Sequence, residues 1–143
     1  MIDFNVVKLE KICREFNLQL VVLFGSQANG RARANSDVDV AVLLPSRKIS
    51  VQRELKLVCA FMQLFRRNDV DVVILNHANG LMQFRVASEG KLLYERKPGQ
   101  FQLFQMASVK RYHDFRRLQK YQEMHLERFI RKSESYAEPK HYN

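Results

Sequence analysis

A chain of 143 residues that is 46% hydrophobic suffices for one compact domain with an appended helix, and is too apolar for a disordered tail. No apolar run approaches the roughly 20 residues that span a bilayer, and Met1-Ile2-Asp3-Phe4-Asn5 lacks the basic start and apolar block of a secretory signal, so a soluble cytoplasmic protein is expected. The formal charge of +9 is uneven: from Arg96 onward eleven Lys/Arg face five Asp/Glu, an excess that does not choose between RNA, an acidic protein and a nucleotide's phosphates.

Residues 4–16 place Phe4, Val7, Leu9, Ile12, Cys13 and Phe16 at helical spacing, and Asn17 ends the pattern. Leu18 to Phe24 is a continuous apolar run, suited to a strand covered on both faces. Gly25-Ser26 stops it, and Gln27-Ala28-Asn29 can open a short helix. Residues 29–36 are small and polar and read as a loop. Asp37 to Leu44 alternates, with Val38, Val40 and Val42 on one face and Asp37, Asp39 and Ala41 on the other. Ser50 caps an expected helix through Phe65, Val70 to Leu75 is a third strand, and Leu81 to Ser88 is a helix stopped at Gly90. Lys91 to Tyr94 is a short fourth strand. A long charged helix is expected from about Phe101, and the chain is expected to fray from Ser133 to Asn143. This is an α+β pattern: a small mixed sheet with flanking helices plus a long C-terminal helix. The expected organisation is a core over 1–96, a helix over 97–132 packing on the core or a partner, and a disordered tail over 133–143. Cys13 and Cys59 lack metal-ligand spacing and read as buried, reduced thiols.

Two strand residues apart, Asp37 and Asp39 present both carboxylates to one face, about 6–7 Å apart. A purely structural strand gains nothing from that repulsion, whereas hard Mg²⁺ favours carboxylate oxygens and keeps phosphate oxygens in its shell. Asp71, early in the next strand, supplies a third carboxylate, with Asp69 competing for the role. Three converging carboxylates suit a two-metal phosphoryl-transfer site. The Gly25-Ser26 turn offers backbone amides and a hydroxyl as a phosphate cradle, and the absence of a following Gly-Lys-Ser/Thr excludes a Walker loop. Carboxylates facing a phosphate cradle imply a nucleoside triphosphate.

Gly25-Ser26, ten intervening residues and Asp37-Val38-Asp39 resemble the signature of the DNA polymerase β-like nucleotidyltransferase superfamily. The stretch from Leu23 to Asp39, Val70-Asp71-Val72-Val73, and Glu89-Gly90-Lys91-Leu92-Leu93-Tyr94 resemble its minimal nucleotidyltransferase (MNT) branch, so the resemblance spans about residues 4–96. It implies that Asp37, Asp39 and Asp71 hold two Mg²⁺ ions and that Asp71 helps deprotonate the attacking hydroxyl. It sets Gly25, Ser26 and Gly30 around ATP. Where many members carry Arg before the second Gly this chain has Asn29, so Arg33, or Arg31, is the expected phosphate cation. The helix from Arg111 to Phe129 resembles the last helix of MNT antitoxins encoded beside HEPN ribonucleases. The implied activity is transfer of AMP to a tyrosine of a HEPN toxin, without direct nucleic-acid or membrane binding, in a possible homo- or hetero-oligomer. The alternatives are an aminoglycoside-type nucleotidyltransferase and a non-catalytic antitoxin or RNA-binding module. Phe101, Phe104, Tyr112, Phe115 and Tyr121 recur at helical spacing and are expected to dock the last helix on the core or on a partner.

Overall fold

Helix starts in this protein follow from short polar side chains. Asn5, Ser50 and Asn79 each accept a hydrogen bond from the amide three residues on, at Lys8, Arg53 and Met82, satisfying a donor that the first helical turn leaves free. The computed structural model describes residues 2–137. Its elements are α1 (Val6–Glu15), β1 (Leu20–Phe24), a 3-10 turn (Gly25–Gln27), β2 (Val38–Leu43), α2 (Val51–Phe65), β3 (Val70–Ile74), α3 (Gly80–Glu89), β4 (Lys91–Glu95) and α4 (Gln100–Ala137).

The four strands lie in the order β3-β2-β1-β4. β1 runs antiparallel to β2 and β4, whereas β2 and β3 are parallel, with α2 as the crossover that a parallel pair requires. The sheet is therefore mixed, as expected. Every residue of β1 is buried, which explains its unbroken apolar run.

Two apolar clusters cover the two faces. Val21, Leu23, Val38, Val40 and Val42 pack with Leu9, Ile12, Leu57 and Phe61 from α1 and α2. Leu20, Val22, Phe24 and Ala41 pack with Val86, Ala87 and Phe104 from α3 and α4. Strand alternation gives Asp39 the face of Ala41, and Asp71 the face of Val73, which packs against that same second cluster. The carboxylates thus belong to the α3/α4 side of the sheet.

Gly90 ends α3 with an ordinary extended φ of −73°. Its glycine identity comes from crowding: a Cβ there would stand 2.3 Å from the Val86 carbonyl oxygen and 2.4 Å from Val22 Cγ1. The missing side chain lets α3 close onto β1.

The aromatic run of α4 divides. Phe104 is buried, Phe101 stacks on it with centroids 6.4 Å apart, and Tyr112 stacks on Phe84 of α3 at 4.1 Å. Phe115 and Tyr121 are exposed, as is every residue from His113 to Tyr136. At 38 residues α4 is about 57 Å long, and only its first third has the domain beneath it.

Three expectations change in detail. The last helix continues past Lys132 to Ala137, because no breaker interrupts the sequence there; the remaining expected tail, residues 138–143, lies outside the described residues. The short helix expected to open at Gln27 is a single 3-10 turn beginning at Gly25. Cys13 is buried, and burial, with Glu10 adding to it, pushes its thiol up to about 12, but Cys59 is exposed. Cys59 falls on the outer side of α2, away from Leu57, Phe61 and Leu64.

Gly90→Ala should lower stability by about 1–3 kcal/mol through overpacking against Val86 and Val22. Chemical denaturation measures this, and an unchanged midpoint would show that α3 does not need that close approach.

Candidate active site

The strand register assembles the acidic cluster. In the parallel β2–β3 pair Asp39 is the direct partner of Asp71, and on the other side Asp39 pairs with Phe24, the last residue of β1. Parallel neighbours stand roughly 4.8 Å apart, so the carboxylates of Asp39 and Asp71 leave the sheet side by side. Asp37 lies immediately before β2, two residues from Asp39, and its side chain is exposed.

The Gly25 turn meets Asp39 from the β1 side. Gly25 has φ +71°, and a Cβ on it would stand 2.2 Å from Asp39 Oδ2. Two independent reasons therefore require glycine: the left-handed backbone, and the carboxylate lying against the peptide. Ser26 follows, part-buried; its hydroxyl makes no hydrogen bond and caps no helix among the described residues. The turn has one internal bond, from the Ala28 amide to the Gly25 carbonyl at 3.2 Å, so a helix dipole contributes little. What the turn offers a phosphate is a free hydroxyl and a backbone with no side chain in the way.

Asp39 feels the charges on both sides of it. The Asp39 carboxyl is held above its ordinary 3.8, by partial burial first, then by the negative charges of Asp71 and Asp37, with Arg85 opposing. Asp39 is thus within electrostatic range of both Asp71 and Asp37. Among the described residues, no group of three His, Cys, Asp or Glu side chains is already gathered to hold a metal ion. The donor chemistry nevertheless fits a hard divalent cation, since oxygen ligands on mutually repelling carboxylates are what Mg²⁺ stabilises.

The remaining expected residues separate. Asp69 is engaged elsewhere: the Arg67 guanidinium donates to both its oxygens and holds its carboxyl below the ordinary range. Gly30 turns the loop at φ +70° with open space where a Cβ would point. Arg33 is exposed, its amide donating to Ser36 Oγ at 2.8 Å, and neither residue is brought against the carboxylates by a recorded contact.

Sequence reasoning overlooked three residues. Arg67 and Gln27 both donate to the Ser36 carbonyl, next to Asp37, and Arg85 of α3 acts electrostatically on Asp39. Arg67-Asn68-Asp69, opposite charges two apart before a strand, carried a signal; Gln27 and Arg85 carried none without the fold. A cavity of about 710 Å³ lies at the other end of β2 and β3, beside Leu43, Leu75 and Phe104, away from the acidic residues. Its size does not make it the chemical site, because no carboxylate lines it.

Residues 7–99 match the family model described as polymerase beta, nucleotidyltransferase. The chain belongs to this nucleotidyltransferase family. The match covers the whole sheet and both arms of the acidic cluster, and it stops before α4. Over 123 residues the chain is 32% identical to the protein adenylyltransferase MntA of Aphanizomenon flos-aquae (strain 2012/KM1/D3), covering 80% of this chain and 82% of that protein. It is 36% identical over 99 residues to MntA of Shewanella oneidensis, covering 66% and 68%. A crystal structure of a toxin–antitoxin with AMP-PNP contains a chain of similar fold, with TM-score 0.68 and 27% identity, covering 88% of this nucleotidyltransferase and 98% of that chain. No helix among the described residues is long and apolar enough to cross a membrane.

Because the folded nucleotidyltransferase binds the Asp39 proton more tightly than the unfolded chain, ionised Asp39 subtracts from stability. The loss sets in as pH rises through the ordinary aspartate range and is complete above the raised folded value. Asp39→Asn should therefore melt higher than the parent at pH 7, with the difference closing below about pH 4. A lower melting temperature at pH 7 would contradict the repulsion account.

Proposed function

We propose that this chain transfers AMP from ATP to a tyrosine hydroxyl of a cognate HEPN-type ribonuclease toxin, and so acts as its antitoxin. The observation that carries the reading is the in-register pair Asp39–Asp71 lying against the glycine turn at Gly25. Family membership and the similarity to MntA proteins over most of the chain support it. The likeness to a chain of a toxin–antitoxin crystallised with AMP-PNP, an ATP analogue, supports ATP as donor.

Asp37, Asp39 and Asp71 are the residues that would hold two Mg²⁺ ions, which when bound neutralise charge on the phosphates and acidify the attacking hydroxyl. Ser26 Oγ donates to a phosphate oxygen, and Gly25 and Gly30 let the backbone approach the triphosphate. Arg33 screens its charge. Asp71, the most exposed strand carboxylate, accepts the tyrosine proton. The tyrosine oxygen forms a bond to the α-phosphorus in line with the bond that breaks, and pyrophosphate leaves.

α4 supports a protein acceptor. On a 3.6-residue wheel Phe104 and Ser108, which are buried, share a sector about 60° wide with exposed Phe115, Leu126 and Phe129, the same sector also holding Arg111, Gln122 and Ser133. The face that docks on the sheet thus continues past the end of the core, as an interaction helix requires. Leu118 and Ile130 flank it.

Incubation with Mg²⁺, α-labelled ATP and the product of the adjacent gene tests the reading. Label on the partner is expected, with Asp39→Asn and Asp71→Asn slower by about a hundredfold or more. Label on an added aminoglycoside alone, or a stable complex without transfer, would overturn it. In the same assay Leu126→Asp with Phe129→Asp should weaken partner binding by about 30-fold or more with an unchanged melting temperature. Undiminished affinity would remove α4 from the interface.

A further inference from the structure

Asp37 precedes β2 and has no strand partner of its own, yet the peptide groups on both sides of it are tied down. The Ser36 carbonyl accepts from Arg67 Nη2 at 2.7 Å and from Gln27 Nε2 at 3.3 Å. The Val38 amide donates to the Asp69 carbonyl at 2.9 Å. Both bonds from the β3 side come from the segment 67–69. Its arginine is in turn locked by a fork: Nε donates to Asp69 Oδ1 at 2.7 Å and Nη2 to Asp69 Oδ2. A planar guanidinium held along one edge by both oxygens of a carboxylate is restricted in orientation, and the same Nη2 that completes the fork also reaches the Ser36 carbonyl.

The chain entering this clamp is also constrained. α2 closes on Arg66 at φ +54°, a left-handed conformation costing a non-glycine residue roughly 1 kcal/mol, with the Arg67 amide still bonded to the Met62 carbonyl at 3.1 Å. That turn swings Arg67 back over the start of β3. The Ser36 oxygen is therefore the meeting point of three separate pieces: the Gly25–Gln27 turn, the end of the 29–36 loop, and the approach to β3.

We propose that Arg67, assisted by Gln27, is a positioning residue that sets Asp37 relative to the Gly25–Ser26 turn and Asp71. This rests on the functional reading above. The other bonds of the exposed loop before Asp37 are local, from the Arg31 amide to Asn29 Oδ1, from the Arg33 amide to Ser36 Oγ and from the Ser36 amide to the Arg33 carbonyl, so they tie the loop to itself and not to the sheet. Displacement of a reacting group by about 1 Å costs on the order of a hundredfold in rate, so a carboxylate on an untethered loop end performs poorly even when chemically intact. Asp69 thereby gains a role the sequence did not suggest, as the anchor of the arginine instead of a ligand.

Five variants test the proposal. In Arg67→Met the Val38 amide should exchange with solvent at least about tenfold faster, while β1 amides keep their protection, and kcat for AMP transfer should fall about 10- to 100-fold. The Val38 rate is read without nucleotide or metal. Arg67→Lys, which keeps the charge and loses the fork, should recover only part of both effects. Arg67→Met with Asp69→Asn should remain impaired, because the Ser36 carbonyl is still unheld. Parent-like kcat in that double variant would overturn the proposal by tracing the defect to a stranded Asp69 charge. Parent-like exchange and kcat in Arg67→Met would overturn it as well. If Arg67→Met does not fold, Gln27→Leu removes only the weaker neutral bond and should shift both readouts by a smaller amount in the same direction; no shift counts against the proposal. Asp37→Ala separates the two levels: transfer retained there overturns the catalytic reading, and the Val38 exchange rate then reports on the clamp alone.

Discussion

Asp39 and Asp71 are forced side by side by a parallel strand pair, and most of the architecture around them follows from that arrangement. A parallel neighbour places like side chains in direct opposition, and two carboxylates so placed repel wherever they are ionised. The fold bears this because the strands are anchored by residues on their opposite face. Val38, Val40, Val70 and Ile74 are buried among α1 and α2, so the register cannot slip to separate the charges without exposing that cluster. Apolar packing on one side of the sheet therefore holds an electrostatically unfavourable arrangement on the other.

Glycine makes the third wall. At Gly25 the backbone comes so near Asp39 that a methyl group would meet the carboxylate, and the turn leaves the Ser26 hydroxyl without a partner among the described residues. Around this the hydrogen-bond pattern is directional. Arg67 and Gln27 converge on one carbonyl, and the Val38 amide is taken by the β3 approach. Polar groups that could have satisfied themselves with water instead tie three chain segments together beside the acidic cluster. Such a scaffold suits a reaction that needs little covalent work from the protein and much accuracy in where charge is held.

α4 obeys a different constraint. Its first turns close the second apolar cluster through Phe104 and stack Tyr112 on Phe84, and then the domain ends while the helix continues. Beyond the domain the same helical face carries exposed Phe115, Leu126 and Phe129, interspersed with polar residues such as Gln122. The family match ends before this helix.

Much of this was legible in the residues. Alternation in 37–44, the continuous apolar run of 18–24 and the helical spacing of 51–65 reflect local periodicities that burial enforces, and they located the elements within a few residues. Gly-Ser and Asp-x-Asp at their spacing, with Asp71 one strand later, identified the candidate carboxylates because that chemistry tolerates few alternatives. Other features depended on tertiary structure. Asp69 and Asp71 are equivalent by alternation, and the closed structure distinguishes them: the register sets Asp71 opposite Asp39, while the arginine reaching back from the end of α2 engages Asp69. The burial of Cys13 against the exposure of Cys59, and the division of α4 into a docked third and a free remainder, depend on which helical face meets the sheet. Period and composition are properties of neighbours in the chain. The Ser36 carbonyl, by contrast, takes its partners from residues nine and thirty-one positions away, and a contact of that kind exists only once the sheet has closed.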